Sequence, residues 1–395
     1  MGETNGYHEP ALPHKNSEDI FLTIATNEEN IAQQEVNSTE WRGALDLKQY
    51  LRREEHLANQ DLTKNGGLVG WVLVYQPHGS SERKVLCGCE TIRKKALVSR
   101  DGNVEDVVCY GIGSVFCPAQ HRGKGYAGRM MSDLGKKLRT WQDGGVTKPL
   151  FSVLYSDIGK EFYARNGWQP FPSSHVSLPA TESKSQDLPG VQLLKAGDLA
   201  GLCNIDEKMT RARLANSTAS KSSAVAIVPD NVTMSWHHAR EEYVAKTLFN
   251  RHPDVKGAVV GEPGSRVWCY WTRVWTNPQE EAPNTLHILR LVVEDESFAD
   301  FTPASEDTVG KTIGSPTTKA IASVFAAAQA EANKWGMHEV QIWNPTSTTL
   351  AAARTLNQRA VVEHRESESI ASLNWYGEGS WENVDWICNE KYGWC

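Results

Sequence analysis

A glycine-rich, positively charged turn lies at residues 118–128, where the sequence reads PAQHRGKGYAG. Its glycines, Gly123, Gly125 and Gly128, allow the backbone to come close to a ligand. Arg122 and Lys124 add positive charge. A segment with helical spacing follows, so the turn leads into a helix N-terminus, whose free N–H groups attract phosphate. These residue types in this order predict a pyrophosphate-binding site.

Two other kinds of phosphate loop compete with this interpretation. A Walker loop requires G-x-x-x-x-G-K-[ST], and the sequence contains no such string. Residues 123–128 do match the G-x-G-x-x-G string of dinucleotide-binding domains. That motif should follow the first strand of a βαβ unit, whereas here it follows four segments typical of antiparallel strands. The acid at the expected distance, Asp143, lies in a polar turn, so the Rossmann interpretation is the weaker one.

The turn is expected to join a strand to a helix. Residues 104–117 become nearly continuous in apolar residues toward their end, which predicts a strand. Met130, Leu134 and Leu138 recur at helical spacing and predict a helix over 129–141. The other elements predicted around the turn are helices over 27–62, strands at 20–25, 70–75, 85–92 and 150–155, an Asp-Gly hairpin at 101–102 and a short helix at 159–165.

Three motifs around the turn occur together in one known family. Residues 122–127, RGKGYA, fit the coenzyme A signature [RQ]-x-x-G-x-[GA] in full, and the strand before them ends in Val115, Phe116 and Cys117. The segment KEFYARNGW at 160–168 resembles the F-Y-x-x-x-G-[FYW] segment of the same family. Residues 20–178 therefore resemble the GCN5-related N-acetyltransferase (GNAT) superfamily. The resemblance implies an α/β (mixed α+β) fold, with a mostly antiparallel mixed sheet flanked by helices.

The resemblance also implies roles for the residues of these motifs. Acetyl-CoA would be the co-substrate, with backbone groups of residues 115–117 contacting its pantetheine arm and thioester carbonyl. Residues 122–128, which include Tyr126 and Ala127, would hold the pyrophosphate mainly through backbone N–H groups. Tyr163 would lie near the sulfur and protonate the departing thiolate. Ser156 stands where many relatives carry an asparagine that contacts the coenzyme.

Acetyl transfer to an amine requires a base, because an alkyl ammonium with a pKa near 10.4 must first lose a proton. Glu90 lies in the middle of a predicted strand and is one candidate, while Glu105 and Asp106 near a strand start are expected to be solvated. The terminal carboxylate of Cys395 is another, since in related tandem-domain acetyltransferases the chain end reaches the active site. An acyl-enzyme on Cys117 is a competing route, but an apolar setting disfavours its thiolate.

The second half of the chain repeats the order of elements of the first. Strands are predicted at 191–194, 267–276, 286–293 and 339–343, and helices at 197–213, 316–335 and 348–356. Residues 294–318 lack the cationic glycine turn, so this GNAT-like copy is not expected to bind coenzyme A. The predicted organisation is a flexible N-terminal arm at 1–18, an acetyltransferase domain at 19–178, a linker at 179–189 and a degenerate domain at 190–395 that walls the substrate pocket.

Composition narrows the class of protein. The 395 residues include 41 Lys and Arg against 48 Asp and Glu, a net charge of −7, which disfavours a general nucleic-acid binder. No apolar run is long enough to span a bilayer, and the polar N-terminus lacks a signal segment, so a cytoplasmic location is expected. The eight Cys are expected to be reduced core thiols. No ligand set with metal spacing is present, so no metal is expected.

The aromatic residues and the whole-chain pattern bear on the substrate. Trp268, Trp271, Trp275 and Trp375 either pack cores or wall a substrate pocket. The length, the single coenzyme A loop and the string CPAQHRGKGYA at 117–127 resemble the fungal lysine N-acetyltransferases. That resemblance implies that the acceptor is the side-chain amine of free L-lysine, in lysine breakdown. Another small amine, an aminoglycoside or other xenobiotic, or a coenzyme-binding scaffold without turnover remain the alternatives.

Overall fold

The computed structural model describes residues 12–145, 147–182, 188–216, 221–276, 282–295, 297–301 and 303–394. These residues form two mixed β-sheets flanked by helices. The strands are β1 (Ile20–Ile24), β2 (Leu68–Tyr75), β3 (Lys84–Arg100), β4 (Asn103–Phe116), β5 (Pro149–Ser156), β6 (Gln169–Pro170), β7 (Ser174–Pro179), β8 (Val191–Leu194), β9 (Ser223–Ile227), β10 (Gly257–Val260), β11 (Val267–Val274), β12 (Thr285–Val293), β13 (Glu339–Trp343), β14 (Glu363–His364), β15 (Ile370–Trp375) and β16 (Val384–Trp386). The helices are α1 (Asn27–Trp41), α2 (Leu47–Ala58), α3 (Tyr126–Leu138), α4 (Glu161–Arg165), α5 (Ala196–Ala215), α6 (Asn231–Phe249), α7 (Glu306–Thr312), α8 (Pro316–Lys334) and α9 (Ser347–Leu356).

The first sheet has the strand order β1-β2-β3-β4-β5-β15-β6, and β9 joins it by pairing with the second half of β3. The second sheet has the order β14-β7-β13-β12-β11-β10-β8. Most neighbours are antiparallel, while β4 with β5 and β12 with β13 are parallel. The predicted mixed α/β fold is therefore confirmed.

The first half of the chain follows the predicted order of elements. A capping box of Thr26 and Glu29 starts α1. The β3–β4 hairpin turns at Asp101 and Gly102, whose φ values of 51° and 78° are those a two-residue turn of this kind requires. The apolar stripe on α3 is fully buried against the sheet, as its helical spacing predicts.

The sheet opens where β4 and β5 end. Their parallel pairing runs to Ile112 opposite Leu154 and then stops, while β4 continues to Phe116 paired only with β3. The β3–β4 register shifts between Gly88 and Glu90. Across that shift Ser114 has a φ of 53°, which marks a β-bulge and bends the end of β4 away from β5.

The predicted repeat is visible in the topology. In the first sheet, β4 leads through α3 to the parallel strand β5, and in the second sheet β12 leads through α8 to the parallel strand β13. A short helix follows each parallel strand, α4 in the first half and α9 in the second. Helix α8 starts with Ser315 as its cap, and no basic glycine turn precedes it.

The two sheets exchange strands. β15, from near the end of the chain, pairs antiparallel with β5 from Phe151 to Ser156 and so extends the first sheet. β7 pairs with β13 and β14 in the second sheet, although the predicted boundary after residue 178 falls inside β7. Of the predicted linker, residues 183–187 lie outside the described residues. The division of the chain into domains stays a prediction.

Part of the chain was not predicted to be regular. The sequence interpretation missed the strands β6, β7, β9, β10, β14, β15 and β16 and the helices α6 and α7. Several of them are short, and β9 and β15 pair with strands that lie far away along the chain. In the predicted flexible arm, Tyr126 Oη donates to the carbonyl of Pro13 at 2.6 Å and Arg129 donates to that of Lys15 at 3.0 Å, so residues 13–15 lie against the start of α3. Within the described ranges, no helix is both long and apolar enough to cross a membrane.

Candidate active site

The predicted phosphate loop forms an exposed turn that ends at the start of α3. Gly123 and Gly125 have φ values of 75° and 80°, in the left-handed region that favours glycine. Gly125 is the N-cap of α3 and provides no side-chain cap. The N–H groups of the first helical turn therefore have no capping side chain, and Arg122 and Lys124 beside them are exposed. An anionic ligand can occupy this position.

Side chains connect the loop to the strand before it and to α4. Arg122 Nε donates to the carbonyl of Cys117 at 2.9 Å, and the guanidinium lies 5.5 Å from the centre of the Phe116 ring. On the other side, a Cβ added at Gly128 would stand 3.3 Å from Oδ1 of Asn166. Gly128 thus permits the close approach of the residue that ends α4 to the first turn of α3.

An open cleft of about 610 Å³ lies beside the loop. The segment from Ile158 to Asn166 lines one side of it, and Glu366, whose carboxylate pairs with Lys160 at 2.6 Å, lines the other. Asn166 lines this cleft and also lies close to Gly128, so the cleft adjoins the loop at the start of α3. Its volume and its position suit an extended nucleotide-bearing ligand.

The open end of β4 presents different residues on its two faces. Val115 and Cys117 pack into the apolar cluster that contains Tyr126 and Tyr163. Phe116 contacts Trp41 of α1 edge to face, with ring centres 6.1 Å apart. β5 does not pair with this part of β4. One face of the strand end therefore packs toward Tyr126 and Tyr163, and the other face is covered by α1.

Tyr163 lies on the first of these faces and is 7% exposed. Burial, followed by the nearby Cys89 thiol, raises its pKa well above the usual range, so the hydroxyl keeps its proton at neutral pH. Among the described residues none hydrogen-bonds to this hydroxyl. The Tyr163 hydroxyl is therefore protonated and has no hydrogen-bond partner among the described residues.

Glu90 lies on the second face, partly buried, beside the bulge of β4. Ser114 Oγ donates to Glu90 Oε2 at 2.9 Å. Burial, and after it repulsion by Glu54, raises the pKa of Glu90 to about 7, although the Ser114 hydrogen bond opposes the rise. A carboxyl with this pKa can accept a proton near neutral pH and release it again.

The other candidates have different surroundings. Glu105 is exposed and Asp106 pairs with Arg211 at 2.5 Å, as expected for solvated acids. Burial raises the pKa of the Cys117 thiol, with Arg122 and Lys124 opposing, which disfavours a nucleophilic thiolate. Cys395 lies outside the described residues. No group of His, Cys, Asp and Glu in the described ranges is arranged to hold a metal ion.

The tryptophans suggested as pocket walls lie in the cores instead. Trp268 and Trp375 belong to one core cluster and Trp271 and Trp275 to another, with exposures of 7% or less. The tryptophan that lines a small cavity is Trp394. The sequence interpretation also missed Ser114, whose only signal is its place in the glycine-rich string GIGSVF, and the residues of α2 and α6 described below.

Comparisons with known proteins agree with this fold. Residues 175–395, more than half of the chain, match the family model described as the LYC1 GNAT-like C-terminal domain. A protein of Yarrowia lipolytica named lysine acetyltransferase is 26% identical in an alignment 275 residues long, which covers 60% of this chain and 68% of that protein. Among solved structures, a GCN5-related N-acetyltransferase from Anabaena variabilis is 12% identical with a TM-score of 0.48, over 91% of this chain and 73% of its own. One from Kribbella flavida is 15% identical with a TM-score of 0.46, over 90% and 70%.

The family match covers the half of the chain that lacks the predicted phosphate loop, whereas the candidate site described above lies in the other half. The two halves share the second sheet through β7 and the first sheet through β15. With the fold, the loop and the matched region taken together, the chain belongs to the LYC1 GNAT-like family and is an acetyltransferase of the GNAT type.

Proposed function

We propose that this acetyltransferase transfers the acetyl group of acetyl-CoA to the side-chain amine of free L-lysine, as a reaction of lysine breakdown. The observation that carries the proposal is the position of Glu90 and Tyr163 on opposite faces of the open end of β4. One is a carboxyl with a pKa near neutrality and the other a buried, protonated phenol. The relative named lysine acetyltransferase supports lysine as the acceptor.

Acetyl-CoA would bind along the loop, the cleft and the strand end. The uncapped first turn of α3, with Arg122 and Lys124, would hold the pyrophosphate. Residues 158–166 would line the remainder of the coenzyme in the 610 Å³ cleft. The backbone of Val115, Phe116 and Cys117, left without pairing from β5, would contact the pantetheine and the thioester carbonyl.

Glu90 would act as the general base. The lysine ammonium has a pKa near 10.4 and cannot attack until it loses a proton. Glu90, ionised above about pH 7, would accept that proton directly or through a water molecule. Ser114 would hold the carboxylate in place through its hydrogen bond to Oε2.

Tyr163 would act as the general acid. The amine nitrogen forms a bond to the carbonyl carbon, an N–H of residues 115–117 stabilises the oxyanion, and the C–S bond then breaks. The Tyr163 hydroxyl gives its proton to the departing thiolate. The second proton that the nitrogen loses on becoming an amide restores the Tyr163 hydroxyl, and Glu90 releases the first proton to solvent. Because the pKa of the Cys117 thiol is raised, the transfer proceeds in a ternary complex without an acyl-cysteine.

The test is a panel of amines with acetyl-CoA, in which free thiol is measured and the products are identified by mass spectrometry. We expect thiol release with L-lysine and acetylation of its side-chain amine. Tyr163→Phe should lower kcat by about 10²-fold or more while acetyl-CoA still binds. Tyr376→Phe is the matched control, since it removes a buried hydroxyl that bonds Ser152 outside the proposed site.

Two results would contradict the proposal. Preferred acetylation of an aminoglycoside or another amine would keep the reaction class and replace the acceptor. Binding of acetyl-CoA without thiol release for any amine would indicate a coenzyme-binding scaffold instead of an enzyme.

A further inference from the structure

A second cavity, of about 100 Å³, lies where α6 and the strands β11 and β12 meet residues 391–394. Arg240 of α6 and Trp394 stand on its wall, with His237 of α6, Thr272 of β11 and His287 of β12. The cavity is far smaller than the cleft beside the loop, and its size suits one end of a small molecule. It is lined by cationic, imidazole and hydroxyl groups, with no carboxylate on its wall within the described ranges.

Arg240 is the unusual residue of this cavity. Its guanidinium lies 5.5 Å from the ring centre of Trp394, and no described residue forms a hydrogen bond or an ion pair with it. The buried arginines Arg53 and Arg273 are paired, Arg53 with Glu54 at 2.6 Å and Arg273 with two carboxylates. Arg240 itself is half-buried. Burial, and then repulsion by Arg53, lowers the pKa of Arg240 to about 9, although attraction by Glu54 opposes the fall. A partly desolvated cation without a paired carboxylate is stabilised when a ligand supplies the anion.

The imidazoles of the cavity also indicate a positive potential. Burial, followed by the charge of Lys391, lowers the pKa of His287 far below its usual value. Burial, followed by the charge of Lys94, does the same for His237. Nδ1 of His287 is buried and has no hydrogen-bond partner among the described residues. These groups leave a polar, positive cavity in which an anion would be stabilised.

The Glu90 side carries two acids, Glu90 and Glu54, together with Arg53, which pairs with Glu54 at 2.6 Å. Glu90 and Glu54 are close enough that Glu54 raises the pKa of Glu90. The buried Tyr50 of α2 connects the two regions, because the charges of both Glu90 and Arg240 act on its hydroxyl. The acceptor region therefore has a negative end at Glu90 and a positive end at Arg240, which matches a molecule with an amine at one end and a carboxylate at the other.

We propose that Arg240 binds the carboxylate of the acceptor, which makes the acceptor an amino acid with a terminal amine rather than a simple amine. This inference rests on the proposed acetyl transfer and deepens it by assigning specificity to Arg240. Thr272 and the imidazole of His287 provide further polar contacts on the same wall. Amines without a carboxylate would leave Arg240 unpaired, and they would be poor substrates.

The test compares L-lysine with cadaverine, which is lysine without its carboxylate, and with L-lysinamide, in which the carboxylate is neutral. For the unchanged protein we expect kcat/KM for lysine to exceed that for the other two by about 100-fold. This is the effect expected when one hydrogen bond between desolvated charged groups is lost. Arg240→Gln should remove this preference by lowering the value for lysine, mainly through KM, while cadaverine is unaffected. Arg240→Lys should restore part of it. Lys246→Gln, an exposed change on the same helix, is the control and should leave the preference intact.

If Arg240 had only a structural role, Arg240→Gln would lower the melting temperature. Because Arg240 has no partner in the described residues, Arg240→Gln should keep the melting temperature or raise it. Equal activity of the unchanged protein on lysine and cadaverine would overturn the inference while acetyl transfer stands. If no amine is acetylated, the proposed function fails, and calorimetry of lysine binding decides the inference. Binding that Arg240→Gln abolishes would support it, and absence of binding would overturn it.

Discussion

The carboxyl of Glu90 permits one prediction that joins activity to stability. Its pKa rises from an ordinary value of 4.5 to about 7, first because of burial. A shift of this size corresponds to about 3 kcal/mol between the two protonation states. The folded chain therefore binds this proton more tightly than the unfolded chain does. The stabilisation from this group is complete below pH 4.5 and is lost as the pH rises through 7.

Glu90→Gln keeps an oxygen for the Ser114 hydrogen bond and removes the ionisation. We expect the variant to equal the original protein in stability at pH 4.5 and to be more stable at pH 8, by up to about 3 kcal/mol. The same variant should lose about 10²-fold or more in kcat, and the unchanged protein should show a rise of kcat/KM with pH that levels off above about 7. Urea denaturation at the two pH values and a pH–rate profile measure these quantities.

The control is Glu105→Gln, which changes an exposed acid on the neighbouring strand β4. It should change neither the stability difference nor the pH–rate profile. The reasoning is refuted if Glu90→Gln shows no gain at pH 8 relative to pH 4.5, or if it keeps the pH dependence of the original protein.

Three further predictions concern the loop, the thiol and the chain end. Gly125→Glu should abolish acetyl-CoA binding, because it places a carboxylate at the helix N-cap and because the φ of 80° at this position is disfavoured for any residue but glycine. Lys124→Ala should weaken acetyl-CoA binding only several-fold, and calorimetry measures both affinities. Cys117→Ala should retain turnover in the thiol-release assay, because the pKa of the thiol is raised. Removal of residues 393–395 should lower the free energy of unfolding by about 2 kcal/mol or more, since buried Lys94 donates to the carbonyls of Gly393 and Trp394 at 2.8 and 3.3 Å. Lost activity in that variant would therefore not identify the Cys395 carboxylate as a base. Addition of one glycine after Cys395 separates the two effects, because it moves the terminal carboxylate and keeps the carbonyls of Gly393 and Trp394.

The sequence was sufficient for the features that depend on neighbouring residues. Gly123 and Gly125 indicated a turn, and in the structure both have left-handed φ values that favour glycine. The buried stripe on α3 and the Asp101-Gly102 hairpin follow from equally local rules. The position of Glu90 in a strand was also visible, although the role given to it stays a prediction.

The remainder depends on contacts between distant parts of the chain. The pKa of Glu90 is raised by burial and by Glu54 of a separate helix, and it is held down in part by the hydrogen bond from Ser114, 24 positions away. That Arg240 has no hydrogen-bond or ion-pair partner among the described residues is a property of all the segments around it, and no string of residues around Arg240 indicates it. β15 was missed because its partner β5 precedes it by more than 200 residues.

The exchange of β15 has a consequence for synthesis of the protein on the ribosome. When β5 has emerged, its outer edge has no neighbour until residues 370–375 have also been made. An uncovered edge strand can pair with another chain, so the nascent first half is exposed to aggregation for most of translation. We expect the protein to need a chaperone that shields β5 during this interval. Residues 1–178 expressed alone should be insoluble, and co-expression of residues 179–395 should make them soluble.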